Sequence, residues 1–316
     1  MYKLLANDGI DPLGKRLLEE AGFTVDTAHI PQEELAEKLK GYDAITVRSA
    51  TKVREALIDV CPNLKLIGRG GVGMDNIDVA YARSKGLAVI NTPAASSLSV
   101  AELVFAHLFS GVRFLYDSQR KMPVEGATNF AGLKKDYAKG IELRGKTLGI
   151  VGFGRIGRET AKVALGLGMD VIVSDFIDVP KTLSLEFSGG IKANIPLRQV
   201  DLENLLAEAD FISLHVPFTE KPILAKEQFE KVKSGVGIVN ASRGGVIDEG
   251  DLLDALNSGK VAFAGLDVFE NEPTPRQDLL SHPRISLTPH IGAATNEAQE
   301  RIGEELAGLI IEFFNK

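Results

Sequence analysis

Three stretches in the second half of the sequence carry side chains that could move a proton beside a redox cofactor. "IVNASRGGVID" (238–248) puts Arg243 directly after an apolar run, with two glycines behind it that permit close backbone approach. "DVFENEP" (267–273) places Glu272 in a loop, and "TPHIGA" (288–293) places His290 at a Thr-Pro break. Histidine titrates near neutral pH and can take a hydroxyl proton as hydride leaves. A carboxylate hydrogen-bonded to the imidazole fixes its tautomer and stabilises the imidazolium. The arginine fork suits a substrate carboxylate or carbonyl. Arg243, Glu272 and His290 together form a chemically complete set.

A nicotinamide supplies hydride chemistry of this kind. The sequence spells G-x-G-x-x-G twice, from Gly68 to Gly73 and from Gly152 to Gly157. A dinucleotide site needs a strand before the glycines, a substantial helix after them, and an acid about 20 residues on for the ribose hydroxyls. "LGIVGFGRIGRETAKVALGLGMDVIVSD" (148–175) meets each condition. Gly152 allows the tight turn, Gly154 lets backbone approach the pyrophosphate, and Gly157 lets helix and strand pack closely. The helix N-terminus offers free N–H groups to the phosphates. Asp175 closes the second strand, and the following "FIDVP" has no Arg or Lys for a 2′-phosphate, so NAD is favoured over NADP. His215, in "ISLHVPF", ends the third strand of this unit and reads either as adjacent to the cofactor or as structural.

The first copy fails the same test. Its next strand, "LAVINTP", ends in Asn91 and Thr92 with no acid, and the helix between is short and delayed by "MDNID". Arg69 stands inside the glycines, where backbone amides and a guanidinium could together hold an anion. Arg48 and Ser49 end the preceding strand, and adjacent parallel strands deliver their carboxyl ends to one crevice. The first copy reads as a substrate-anion site; surface arginines beside a turn are the plainer alternative.

Two α/β units must position these groups. Over the first 95 residues, "YKLLA", "FTVDT", "DAITVR", "LKLIG" and "LAVIN" alternate with helical stretches, which predicts a parallel, doubly wound sheet. From Lys146, six further apolar runs alternate with helices and suit a two-halved nucleotide-binding sheet. Between the units, "SSLSVAELVFAHLFSGVRFLY" carries a Ser99-x-x-Glu102 capping pattern and is apolar on nearly all faces, so it must be buried between domains or against a second subunit. The last helix, after "LTPHIGAAT", has too little chain for its own domain and is expected to return to the first unit. The predicted division is therefore a discontinuous substrate-binding domain, 1–95 plus 290–316, and a Rossmann domain, 96–289, with hinges at "NTP" and "LTP".

Composition narrows the rest. The chain has 316 residues and a net charge of -7 without a basic tract, so the nucleic-acid footprint is absent. No run approaches the roughly 20 apolar residues that cross a bilayer, and the start is not a signal peptide. One cysteine, Cys61, fits a reducing cytoplasm and a buried thiol. With no Cys/His cluster, no metal is expected. His29 and His282 read as loop residues, and His107, inside the apolar helix, as a satisfied core or interface residue.

At these motifs the sequence resembles the D-isomer-specific 2-hydroxyacid dehydrogenases over essentially its whole length. "LGIVGFGRIGRE", "VNASRGGVIDE", "AFAGLDVFENEP" and "LTPHIGAAT" are similar to that family's signatures. The resemblance implies Arg243 as substrate-carboxylate and carbonyl binder, Glu272 as partner of the histidine, and His290 as acid/base. It implies NAD contacts at Arg155, Ile156, Asp175, Val216, Pro217, Ala241 and Asp267. "VRSATKV", "LIGRGGVGMDNID" and "INTPAASSLSVAEL" look most like the branch of the family that acts on 3-phospho-D-glycerate, a resemblance that implies substrate contacts at Arg48, Ser49, Arg69 and the Gly71–Val72 backbone, and a phosphorylated 2-hydroxy acid as substrate. It also implies a homodimer built through the long helix. "VPFTEKPIL" departs from the family's "P-x-T-x-x-T", and the stop at Lys316 predicts no serine feedback through a C-terminal regulatory domain. Other 2-hydroxy acids, or an NAD-sensing binding protein, remain open at this point.

Overall fold

A computed structural model describes residues 2–316, which form two compact units, 2–99 with 293–316 and 100–292. The crossings thus fall a few residues after the predicted 95 and 290. The shift at the second crossing assigns His290 to the 100–292 unit. The cause is local: the buried carboxylate of Asp267 accepts the amides of Ile291 and Gly292, which ties the "TPHIG" loop to the strand before it.

The first unit is a five-stranded parallel sheet formed by β1 (Lys3–Ala6), β2 (Thr24–Asp26), β3 (Ala44–Val47), β4 (Leu66–Arg69) and β5 (Ala88–Asn91), in the order β2-β1-β3-β4-β5. All four residues of β3 are buried, as expected of a strand covered on both faces. Helices Pro12–Glu20 and Asn296–Phe314 cover one face, and Gly14 lies so close to Gly303 that a Cβ there would sit 2.6 Å from the Gly303 carbonyl oxygen. The terminal helix buries Ile302, Leu306 and Ile310 on this unit.

The second unit holds a seven-stranded parallel sheet of order β10-β7-β6-β11-β12-β13-β14, where β6 is Thr147–Val151, β7 Asp170–Ser174, β10 Arg198–Gln199, β11 Phe211–Leu214, β12 Val236–Asn240, β13 Val261–Leu266 and β14 Ile285–Leu287. The order reverses between β6 and β11, which is where doubly wound sheets bind their ligands. An antiparallel hairpin of β8 (Thr182–Glu186) and β9 (Lys192–Pro196) interrupts the crossover after β7, an element absent from the sequence prediction.

The long apolar helix begins at Ser97 and ends at Val112, and Phe114 in the left-handed region breaks it from Leu115–Glu125. Ser99 therefore lies inside the helix and not at its cap; its hydroxyl shares a hydrogen bond with Thr295 (2.8 Å). Among the described residues no single helix is long and apolar enough to cross a membrane.

Candidate active site

The second glycine motif takes the conformation its residue types require. Gly152 follows β6 with φ +90°, and a Cβ there would lie 2.7 Å from the carbonyl oxygen of His215. A Cβ on Gly157 would meet the Gly152 carbonyl at 2.3 Å, so only glycine lets helix Arg155–Gly166 approach the strand this closely. Around Gly154, in contrast, a Cβ would meet nothing within 4 Å. That open side adjoins a 12-residue helix whose N-cap has no side-chain hydrogen bond, so its first N–H groups and dipole are free for a pyrophosphate. Arg155 is exposed and Ile156 half-buried at the same helix start.

Asp175 follows β7 and accepts the Phe153 amide at 2.6 Å, so the acid braces the glycine loop. Phe176 and Ile177 beyond it are exposed and bring no cation to the acid. Across the switch point, Val216 is buried and Pro217 exposed. The His215 ring bonds Ser213 through Nε2 (2.8 Å), and its Nδ1 is buried without a partner among the described residues. Burial pushes the ring down to about 3, which favours its neutral form. The donors and the open cradle fit a dinucleotide. Replacing Asp175 by Ala removes hydrogen bonds to a charged group, each about 1.5–3 kcal/mol. NAD affinity should fall roughly 10- to 100-fold in a fluorescence titration, with Asp175→Asn intermediate.

Beyond the glycines, three loops at the carboxyl ends of β12, β13 and β14 carry the proposed reacting groups. Asn240 ends β12 and folds the next turn: its Oδ1 accepts the Ser242 amide and hydroxyl, and its Nδ2 donates to the Arg243 carbonyl (2.9 Å). Arg243 Nη1 donates to the Ser242 carbonyl at 2.6 Å. Ala241 is buried beside it. Gly244 then packs against the next loop so tightly that a Cβ would lie 1.9 Å from the Phe269 carbonyl oxygen. Glu249 and Glu270 clasp the same two loops, each carboxylate accepting the other residue's amide (3.2 and 2.9 Å). Sequence reasoning missed Asn240 and this clasp; an Asn at a strand end before Ser is a recognisable Asx-turn signal.

Glu272 accepts the Phe269 amide with Oε1 (2.9 Å) and meets His290 Nδ1 with Oε2 at 2.8 Å. Burial pushes the Glu272 carboxyl up. The bonds from His290 and the Phe269 amide, with the charges of His290 and Arg243, outweigh burial and hold it below its usual range. It is therefore a carboxylate at neutral pH. Nδ1–H of His290 donates to it, which leaves the lone pair on Nε2 for a substrate proton. His290 has φ +55°, a conformation histidine tolerates better than most residues, and its amide donates to the Asp267 carbonyl (2.8 Å). Asp267 itself is 1% exposed and spends both carboxylate oxygens on the His290 loop.

In the first unit, β3 and β4 pair with Val47 opposite Arg69, so Arg48 and Arg69 emerge from adjacent strand ends. The carboxylate of Asp8 accepts the Arg48 amide (2.7 Å), and Asn76 donates to the Arg48 carbonyl (2.8 Å). Ser49 is exposed. Gly71 has φ +138°, and Arg69 Nη1 lies where its Cβ would be, while the Gly71 amide donates to Thr92 (2.7 Å) and the Val72 carbonyl accepts Asn91 (2.8 Å). Gly68 is inside β4, and the next helix starts only at Val79. The first copy is thus a strand end with an arginine turn, without the helix start that cradles a pyrophosphate.

A fold of two doubly wound sheets with a dinucleotide cradle and a His–Glu pair defines a nucleotide-dependent dehydrogenase of small hydroxy acids. The family model "D-isomer specific 2-hydroxyacid dehydrogenase, NAD binding domain" matches residues 105–292. The chain is 44% identical to a Thermotoga maritima hydroxypyruvate reductase over 98% of both chains. It is 41% identical to the Methanocaldococcus jannaschii D-3-phosphoglycerate dehydrogenase over 97% of this chain and 56% of that one. The chain thus spans little more than half of that longer relative. A solved Aquifex aeolicus D-lactate dehydrogenase, complexed with NAD and lactic acid, superposes with a TM-score of 0.79 at 30% identity, covering 99% and 95% of the two chains. The chain belongs to the D-isomer-specific 2-hydroxyacid dehydrogenases, and its cofactor is NAD.

Proposed function

We propose that the chain interconverts 3-phospho-D-glycerate and 3-phosphohydroxypyruvate with NAD, as an enzyme of serine biosynthesis. The observation that carries this choice among 2-hydroxy acids is the pair Arg48 and Arg69, held at neighbouring strand ends by a glycine turn and by the Asp8 and Asn76 clamps. Two arginines at adjacent strand ends suit a phosphate better than an apolar substituent.

In this reading Arg243 binds the substrate carboxylate and carbonyl oxygen through its fork. His290 Nε2 takes the hydroxyl proton during oxidation and returns it during reduction. Glu272 keeps Nδ1–H bonded and stabilises the imidazolium. Bound NAD supplies the hydride acceptor. Gly152, Gly154, Arg155, Ile156 and Gly157 hold its pyrophosphate, Asp175 its ribose, and Val216, Pro217 and Ala241 line the remainder. Arg48, Ser49, Arg69 and the Gly71–Val72 backbone take the phosphate. The exposed apolar side chains Phe109, Leu115 and Phe130 support a homodimer, and the single buried thiol a cytoplasmic location.

A second reading rests on a specific finding: a relative matched over 98% of both chains is a hydroxypyruvate reductase, whose name carries no phosphate. Arg69→Ala separates the two. Losing a charge-assisted contact should raise the KM for phosphohydroxypyruvate by about 10- to 100-fold and that for hydroxypyruvate much less. Equal effects on both substrates, with hydroxypyruvate preferred by the unaltered protein, would favour the reductase reading.

A further inference from the structure

His107, which reads in the sequence as a satisfied core or interface residue, is buried with both ring nitrogens bonded, and those bonds lead toward the reacting histidine. The ring is 2% exposed, with Nδ1 at 2.9 Å from the Ser286 hydroxyl and Nε2 at 3.0 Å from the Thr288 hydroxyl. Thr288 in turn lies 2.6 Å from Asp267 Oδ1. That carboxylate also accepts the Ile291 and Gly292 amides at 2.8 and 2.9 Å, and the Asp267 carbonyl accepts the His290 amide. Gly265 makes the contact possible, because a Cβ there would stand 2.5 Å from His107 Cβ.

The direction of each bond follows from proton counting. Asp267 is surrounded by donors and acts only as an acceptor, so the single Thr288 proton goes to it. Thr288 then has only lone pairs for His107, so Nε2 carries the ring proton. Nδ1 is left to accept the Ser286 hydroxyl. Burial lowers the His107 ring below its ordinary value, in keeping with one proton and not two, although the Asp267 charge opposes that shift. The result is a one-way chain from Ser286 through His107 and Thr288 to the carboxylate that holds the His290 loop.

We infer that Thr288 and His107 are positioning residues: through Asp267 they hold His290 in its left-handed backbone conformation, with Nδ1 on Glu272. This rests on the dehydrogenase reading for its kinetic consequences but not for its geometry. Asp267 thus anchors the loop, a role additional to the NAD contact that the family resemblance implies.

The test compares Thr288→Val, which keeps shape and removes the hydroxyl, with Thr288→Ser, which keeps the hydroxyl. In 15N-labelled protein, the ring nitrogen shifts should show His290 as the Nδ1–H tautomer and His107 as the Nε2–H tautomer. In Thr288→Val the His290 ring should average between tautomers, and Thr288→Ser should restore it. Turnover with a 2-keto acid and NADH should fall about 10- to 100-fold in Thr288→Val, the scale of a small misplacement. NAD affinity should stay close to that of the unaltered protein, because the glycine cradle is untouched. The nitrogen shifts need no turnover, so failure of the dehydrogenase reading would not hide the result. An unchanged His290 tautomer in Thr288→Val, a His107 ring protonated on Nδ1, or equal losses of turnover and NAD affinity would overturn the inference.

Discussion

Replacing His290 by Asn lowers turnover by about 10²- to 10⁴-fold, the range of a lost general acid/base, and leaves NAD affinity close to that of the unaltered protein. Asn is the informative choice because position 290 has φ +55°. Asn and Gly accept the left-handed region readily, so the loop held by Asp267 keeps its shape while the base is gone. The cradle for the dinucleotide uses Gly152–Gly157 and Asp175, which share no hydrogen bond with His290. The check is a steady-state kcat beside an NAD titration of the same preparation. A loss of less than about tenfold would remove His290 as the proton acceptor.

Gly244→Ala is the second large effect, and it arises without touching a reacting atom. A Cβ at 244 would stand 1.9 Å from the Phe269 carbonyl oxygen, which is backbone and cannot rotate away. Either the Arg243 turn or the Phe269–Glu272 loop must move by about an ångström. A misplacement of that size costs on the order of 10²-fold in kcat/KM. Overpacking destabilises by about 1–3 kcal/mol, so the melting temperature should drop by several degrees. The expected signature is a strong loss of kcat/KM toward 2-keto acids with NAD binding retained, similar to that of Arg243→Lys, which keeps the charge but loses the fork. Activity within about threefold of the unaltered protein would mean that Arg243 and Glu272 need no fixed spacing.

The parts of this site readable in the sequence are those where residue type alone sets the geometry. Gly152 and Gly157 have no substitute at a positive φ and a 2.3 Å approach, and an acid at Asp175 follows from one more strand. Arg243, Glu272 and His290 were legible because strand ends are where a parallel sheet exposes polar groups. Most of the supports were not legible. The Glu249–Glu270 clasp and the His107–Thr288–Asp267 chain join residues far apart in sequence, through hydrogen bonds that no local period records, whereas Asn240 bonds only its near neighbours Ser242 and Arg243 and carries a local turn signal.

Element boundaries failed for similar reasons. "TLSLE" and "KANIP" alternate with period two around Gly189 and Gly190, which is a hairpin pattern, with Leu183 and Leu185 buried. The expectation of a crossover helix after β7 concealed it. The capping pattern at Ser99 is genuine as a sequence, but the helix already starts at Ser97, and the hydroxyl is taken by Thr295. The second crossing moved past His290 because a buried carboxylate, invisible to hydropathy, holds that loop on β13.

The central claim is that Arg243, Glu272 and His290 act on one substrate beside NAD bound at the second glycine motif. A crystal structure with NADH and oxamate, an unreactive mimic of a 2-keto acid, tests it most directly. The account predicts the pyrophosphate on the Gly154 side of the helix at Arg155, the oxamate carboxylate on the Arg243 fork, and His290 Nε2 within hydrogen-bond reach of the oxamate carbonyl. Pyrophosphate at the Gly68–Gly73 segment, or oxamate bound away from both Arg243 and His290, would contradict it.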